Sequence, residues 1–244
     1  MIEINIKKKI KNAAFMYEAI EDYPRAIDAH VLSWEWGNES SRGRLEELAH
    51  DYPQTIFNRV LNYVEEEGFT RSKVILGYCY ENGFGTARDM EKAVQCYAES
   101  MEYCNDPKLA AFLGICYYKG IYVEKDDHKA FALFQQASVK PKYAWLLAIC
   151  YYEGIGCETD YQKSFELLQQ KVNEKNREAA FILGECYFYG RGTEVNYEKA
   201  YSCFKRALAL YGMNQHHRMQ LFEFRRAQAL DYLTKCQLVL QNVA

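Results

Sequence analysis

The sequence predicts an all-α fold, an α-solenoid of stacked antiparallel helix pairs. Three observations predict it. Four segments, beginning at Leu76, Leu113, Leu147 and Leu183, share Leu, Cys, Tyr, Gly and Lys columns at fixed offsets and follow one another by 37, 34 and 36 residues. Within a segment the apolar residues recur at three- and four-residue steps, which is helical spacing. No alternating strand pattern competes. A repeat of about 35 residues means one supersecondary unit stacked on copies of itself, and such stacks present extended recognition surfaces.

Residues 1–71 read as a divergent helical N-terminal cap. The stretch from Met16 to Leu32 is echoed 29 residues later from Leu45 to Leu61, around a shared Asp-Tyr-Pro at Asp22-Tyr23-Pro24 and Asp51-Tyr52-Pro53. Proline fits the first turn of a helix, where its missing N–H is unpaired in any case, so each echo reads as helix, tight break, helix. The segment Asn38–Gly43 is the expected loop of this region.

Residues 72–211 hold the four repeats. In the third, a first helix is expected from Lys142 to Glu153, with Ala144, Leu147, Ala148 and Tyr151 on one face. Gly154 is a C-cap, Ile155–Thr159 a short loop, and Asp160 the N-cap of a second helix carrying Lys163, Phe165 and Leu168. The small residues Gly77, Gly114, Ala148 and Gly184 are expected to let two helices approach, since a larger side chain would overpack the contact. Residues 212–244 are expected to cap the far end. Phe222, Ala229, Leu230, Leu233, Cys236 and Leu240 form the apolar stripe there, and Arg218, Arg225, Arg226 and Lys235 the polar exterior.

The net charge of −3 is uneven. Residues 1–12 carry +3 and residues 205–244 carry +4, which leaves −10 on residues 13–204. An acidic body disfavours nucleic acid and suits a basic partner surface, with incidental drift of solvated Glu/Lys-rich helix faces as the alternative. No window approaches 18 consecutive apolar residues, so no membrane span is expected. The basic N-terminus lacks a following apolar run, so no signal peptide is expected either. With 9 cysteines, an odd number, reduced thiols and a cytoplasmic location are the expectation.

The cysteine column Cys79, Cys116, Cys150 and Cys186 invites a metal reading. Zinc needs its sulfurs about 2.3 Å from one ion. Equivalent positions on stacked helix pairs lie much further apart. The column therefore reads as small buried apolar residues. His30, His50 and His128 are scattered, and His216-His217 beside Arg218 reads as a solvated basic loop. Gly83/Gly85 and Gly190/Gly192 follow helices rather than strands, which excludes a dinucleotide loop. No catalytic, metal or cofactor site is expected.

The candidate binding residues come from the tyrosine-rich ends of the first helices. At 100° per residue, the column Tyr80/Tyr117/Tyr151/Tyr187 lies about 40° from the leucines and reads as core. The next column, Glu81/Tyr118/Tyr152/Phe188, lies at about 140°, at the edge of the core face. The column Asn82/Lys119/Glu153/Tyr189 lies at about 240°. Tyrosine offers a large rigid surface with a hydroxyl, which suits recognition. These two columns are the candidate groove, and packing between repeats is the alternative for Tyr118, Tyr152 and Phe188.

The string Leu183-Gly-Glu-Cys-Tyr-Phe-Tyr-Gly-Arg-Gly-Thr-Glu-Val-Asn-Tyr-Glu-Lys-Ala resembles a Sel1-like repeat, whose pattern is L-G-x-x-Y-x-x-G-x-G-V-x-x-D-x-x-K-A. Ala179, Ala180, Leu183, Gly184, Tyr187, Gly190, Gly192, Asn196, Lys199 and Ala200 match or nearly match it. The copies at Leu76 and Leu147 keep both glycines, Gly83/Gly85 and Gly154/Gly156. The copy at Leu113 has Tyr122 at the second, so its loop is expected to differ. The resemblance covers about residues 72–211. It implies a right-handed solenoid related to tetratricopeptide arrays, an adaptor or scaffold role and no catalytic residues. First helices line the concave side of such solenoids, which places the two candidate columns there. Cys96 and Cys104, eight apart, resemble a spacing found in secreted, disulfide-bearing relatives. There the pair recurs in every repeat; here it occurs once. A β-lactam-binding enzyme of that kind is therefore the remote alternative. The expected function is a non-enzymatic module binding a partner protein or peptide on the concave face. Its narrower form is a cytoplasmic immunity protein that neutralises a basic toxin domain.

Overall fold

The computed structural model describes residues 2–170, 176–213 and 226–243. These residues form thirteen α-helices, one 3-10 turn and no strand. They divide into two compact units, residues 1–105 and 106–244.

The first unit runs α1 (Ile2–Ala19), α2 (Tyr23–Glu35), α3 (Glu39–Asp51), α4 (Pro53–Glu66), α5 (Lys73–Asn82) and α6 (Met90–Ser100). Both Asp-Tyr-Pro motifs break the chain between helices, and their tyrosines meet: Tyr23 stacks on Tyr52 with ring centres 4.4 Å apart. The two breaks are nonetheless capped differently. The Asp22 carboxylate accepts from the Arg25 N–H at 3.3 Å, whereas Asp51 is the last residue of α3 and α4 has no side-chain cap. The loop expected at Asn38–Gly43 is shorter than that. Asn38 caps α3 by accepting from the Ser40 N–H, so Glu39–Gly43 are already helical and only Trp36, Gly37 and Asn38 make the turn. A side-chain cap at the very start of the segment is what turned an expected loop into helix.

Glu35, at the end of α2, does the capping that α5 lacks. The N-cap of α5, Ser72, makes no side-chain cap bond. The Glu35 carboxylate instead accepts from the backbone N–H groups of Arg71 (3.1 Å) and Ser72 (2.9 Å) and from the Ser72 hydroxyl (2.9 Å). A carboxylate at a helix N-terminus satisfies orphan donors and faces the positive end of the helix dipole. Beside it the buried Trp34 donates its indole N–H to the Arg71 carbonyl at 2.9 Å, with the Arg71 guanidinium 4.5 Å above the ring. Deeper in, buried His30 bridges Glu18 on α1 (3.0 Å) and Ser41 on α3 (3.5 Å), and burial holds its pKa below the usual imidazole value.

The second unit runs α7 (Pro107–Lys119), α8 (Asp127–Ala137), a 3-10 turn (Pro141–Tyr143), α9 (Ala144–Glu153), α10 (Tyr161–Gln170), α11 (Arg177–Tyr189), α12 (Tyr197–Met213) and α13 (Arg226–Val243). The pairs α5/α6, α7/α8, α9/α10 and α11/α12 are built alike. Each first helix ends at a left-handed glycine: Gly83, Gly120, Gly154 or Gly190. Each second helix starts under a cap, with the N–H of Lys92, Lys129, Lys163 or Lys199 donating to Asp89, Asp126, Asp160 or Asn196 at 2.9–3.0 Å. The repeated cysteines are buried in all four pairs.

The small-residue column works by close approach. A Cβ on Gly114 would stand 2.6 Å from the Phe134 ring, and one on Gly77 or Gly184 would press equally on Tyr97 or Phe204. In the third pair Ala148 replaces the glycine, and the second-helix position is filled by Leu168 instead of a ring. The exchange conserves volume, which is what a close-packed core tolerates best.

The tyrosine column expected as core is only partly so. Tyr187 is buried, but Tyr80, Tyr117 and Tyr151 are half-buried. One edge meets the preceding second helix: Tyr80 against Phe57, Tyr151 against Phe131 and Tyr187 against Phe165, at 5.4–5.6 Å. The ammonium of the repeat lysine (Lys92, Lys129, Lys163 or Lys199) lies 5.2–5.5 Å from the centre of its repeat's tyrosine ring. The lysine column is thus a cap donor through its backbone and a cation over the tyrosine through its side chain. The loop at Tyr122 does not differ in backbone. Tyr122 adopts φ 64°, close to Gly85 and Gly156 at 65° and Gly192 at 71°.

At the C-terminal end, Ala229 and Cys236 are buried as expected, but Leu230 is 48% exposed and lies off the inner face. The inner face is anchored by Tyr232, which stacks on Phe204 at 5.0 Å and also meets Phe181 and Phe188. His216-His217, Arg218, Phe222 and Arg225 lie outside the described residues.

Candidate protein-binding surface

In the first unit the two candidate positions differ in burial. Glu81 is half-buried and accepts from the Tyr97 hydroxyl at 2.7 Å, tying α5 to α6. Burial and the neighbouring carboxylate push the Tyr97 pKa up, so the phenol stays a donor. Asn82 is exposed and bonds back to the Tyr78 carbonyl at 2.9 Å.

In the second unit the same division recurs on α7, α9 and α11. Tyr118 is half-buried with the Lys125 ammonium 5.7 Å from its ring centre. Tyr152 is only 7% exposed. Phe188 is half-buried between Tyr197 (5.4 Å) and Tyr232 (5.1 Å). Lys119 and Glu153 are exposed, and Tyr189 is 47% exposed. The inner column therefore supplies packing, and the outer column presents an amide, an ammonium, a carboxylate and a phenol on successive repeats.

Two residues of this region were not singled out in the sequence. Arg191, in the loop after α11, donates to the Tyr152 hydroxyl at 2.6 Å. Its guanidinium also stands 5.3, 5.1 and 4.8 Å from the ring centres of Tyr152, Tyr161 and Tyr189. The signal was present, because the same loop position holds Phe84, Ile121 and Ile155 in the other copies. Tyr232 is the second. Its hydroxyl lies 2.9 Å from that of Tyr189 and donates to Glu185 at 3.2 Å. It sits at three and four residues from Ala229 and Cys236, on the apolar stripe itself.

The repeat family described as Sel1 repeat matches residues 72–100, 107–138, 141–170 and 177–211, just over half of the chain. This chain belongs to the Sel1 repeat family. Each match coincides with one helix pair, α5/α6 through α11/α12. The Sel1 fold is also that of two similar solved structures. A Sel1 repeat protein from Oxalobacter formigenes superposes with a TM-score of 0.57 at 19% identity, over 91% of this chain and 94% of that one. The protective antigen c5321 of uropathogenic Escherichia coli, described as displaying an SLR fold, gives 0.54 at 22% identity, over 98% of this chain and 56% of that one. A comparison with curated proteins finds no match. Sel1 repeats are generally protein–protein interaction modules that bind partner proteins, and the family is typically a non-enzymatic scaffold.

The Sel1 cysteines carry free thiols, Cys96 and Cys104 included. Burial pushes Cys79, Cys116 and Cys186 up to about 12, and Cys96 and Cys104 to about 11. At neutral pH these remain thiols, and a thiol is a poor nucleophile and a poor metal ligand. Among the described residues no group of three or more His, Cys, Asp or Glu could hold a metal ion. No helix among them is long and apolar enough to cross a membrane.

Proposed function

We propose that this Sel1 repeat chain is a non-enzymatic docking module whose partner protein is read by the outer column of the second unit: Lys119, Glu153 and Tyr189, with half-buried Tyr118 beside Lys119. The observation that carries this reading is the contrast between the two columns. The inner side chains are buried or half-buried, while the outer ones stand at equivalent positions on α7, α9 and α11, are exposed and differ chemically from copy to copy. A scaffold repeats what it needs for stacking and varies what it uses for recognition.

The partner surface is basic, in keeping with the charge of −10 on residues 13–204. A basic toxin domain neutralised by docking is one such partner. The working compartment is the cytoplasm, where nine thiols stay reduced. Combining Lys119→Ala with Glu153→Ala tests the reading. Capture of the native partner should weaken about 10-fold or more, while the melting temperature moves by no more than about 2 °C, because both side chains are exposed. Unchanged capture would remove this column from the site.

A further inference from the structure

We propose that the tyrosine cage of Tyr152, Tyr161 and Tyr189 is a recognition site for an arginine side chain of the basic partner, occupied in the free protein by the chain's own Arg191. The proposal rests on the docking reading above and names the chemistry that the partner brings to that surface.

The cage has the dimensions of a guanidinium site. Three ring centres lie 4.8–5.3 Å from the Arg191 guanidinium carbon, and the Tyr152 hydroxyl accepts from the Arg191 Nη1–H at 2.6 Å. Ring faces within about 6 Å of a cation attract it through their quadrupoles. The nearby Glu185 adds negative charge that favours a cation there. Tyr152 forms the buried floor, while Tyr161 and Tyr189 are 36% and 47% exposed and form an open rim. A cation can therefore enter from solvent.

The repeat does not require Arg191. Ile155 occupies the same loop position one repeat earlier, where it is buried, and Phe84 occupies it in the first repeat, where it packs on His50 at 4.5 Å. In the second repeat Ile121 stands there 41% exposed, so the position holds an apolar side chain whether it is buried or not. The arginine is thus particular to the fourth repeat, where the preceding repeat supplies Tyr152 and Tyr161 and its own first helix supplies Tyr189.

An incoming arginine competes with a tethered one. A side chain held by a short stretch of backbone acts at an effective concentration on the order of millimolar or above. The intact chain should therefore bind an isolated arginine peptide weakly, and removal of Arg191 should unmask the cage. The test compares the full chain and its Arg191→Gln variant with the capped peptide acetyl-Gly-Arg-Gly-amide and its glutamine counterpart, by calorimetry and by tyrosine ring-proton NMR. Arg191→Gln should bind the arginine peptide about 10-fold or more tightly than the parent chain. It should ignore the glutamine peptide, and the gain should vanish when Tyr189→Ala is added. A folded Arg191→Gln variant that binds the arginine peptide no better overturns the proposal, as does a gain that survives Tyr189→Ala. If Arg191→Gln does not fold, the parent chain decides. Millimolar arginine peptide, and not the glutamine peptide, should shift the Tyr161 and Tyr189 signals, and the absence of that shift counts against the cage. Loss of partner capture on Lys119→Ala/Glu153→Ala without any gain in Arg191→Gln removes the cage and leaves the docking reading intact.

Discussion

Gly156→Ala is expected to destabilise the chain by about 3 kcal/mol or more, a fall in melting temperature of roughly 6–12 °C. Gly156 has a left-handed backbone at φ 65°. That conformation alone is tolerable, because Tyr122 adopts it at the same place in the second repeat. The larger effect comes from the neighbouring helix. A Cβ on Gly156 would lie far inside van der Waals contact with the carbonyl oxygen of Asp127, the first residue of α8, and 2.9 Å from the Phe131 Cβ. Backbone cannot rotate away as a flexible side chain can, so the junction between the α7/α8 and α9/α10 pairs must open. Gly83→Ala is the control. Its φ is also positive, 76°, but the nearest atoms to the new Cβ are 3.5 Å away. It should cost only about 1 kcal/mol, the backbone term alone. Thermal melts of the two variants separate strain from close approach.

Tyr232→Ala is expected to release α13 from the fourth repeat at a cost of about 3 kcal/mol. The ring is stacked on Phe204 and touches Phe181 and Phe188, and its hydroxyl joins Tyr189 and Glu185. Burial raises its pKa further, so the phenol remains protonated and both contacts persist across the neutral range. Tyr232→Phe keeps the stack and loses only the hydroxyl, so it should cost about 1 kcal/mol. Hydrogen exchange reads the difference directly: amides of α13 should exchange much faster in Tyr232→Ala than in Tyr232→Phe, while those of α7 and α8 stay protected in both.

The helix pairs were legible because each is specified locally. A glycine C-cap, an Asp or Asn N-cap and apolar residues at three- and four-residue steps fix one pair without reference to its neighbours, so Gly154, Asp160 and Leu168 were placed correctly. What was missed depends on contacts between pairs. The wheel angle of Tyr151 does not reveal that Phe131 takes only one edge and that Lys163 covers the face from outside. Nothing near Ser72 shows that its helix is capped by Glu35, 37 residues upstream. At Asn38 the error was local: the cap bond to Ser40 shortens a turn that the polar run Asn38–Gly43 made look long.

The candidate surface was legible only as two columns. The sequence placed Tyr152 and Glu153 side by side as candidates, with packing between repeats as the alternative for Tyr152; Tyr152 is buried against Arg191 and Glu153 faces solvent. A step of 100° decides between packing and recognition there, and the deciding atoms come from a loop 39 residues away. Arg191 and Tyr232 escaped notice because each breaks or extends a pattern rather than repeating it.

Site-specific photo-crosslinking tests the docking face most directly. A benzophenone side chain placed at Lys119 or Glu153, on the first helices, should each trap the same partner protein. Placed at the exposed Gln136 or Gln170, at the far ends of the second helices α8 and α10, it should trap none. A partner trapped from Gln136 or Gln170 and not from Lys119 or Glu153 would contradict the assignment of the outer column as the recognition surface.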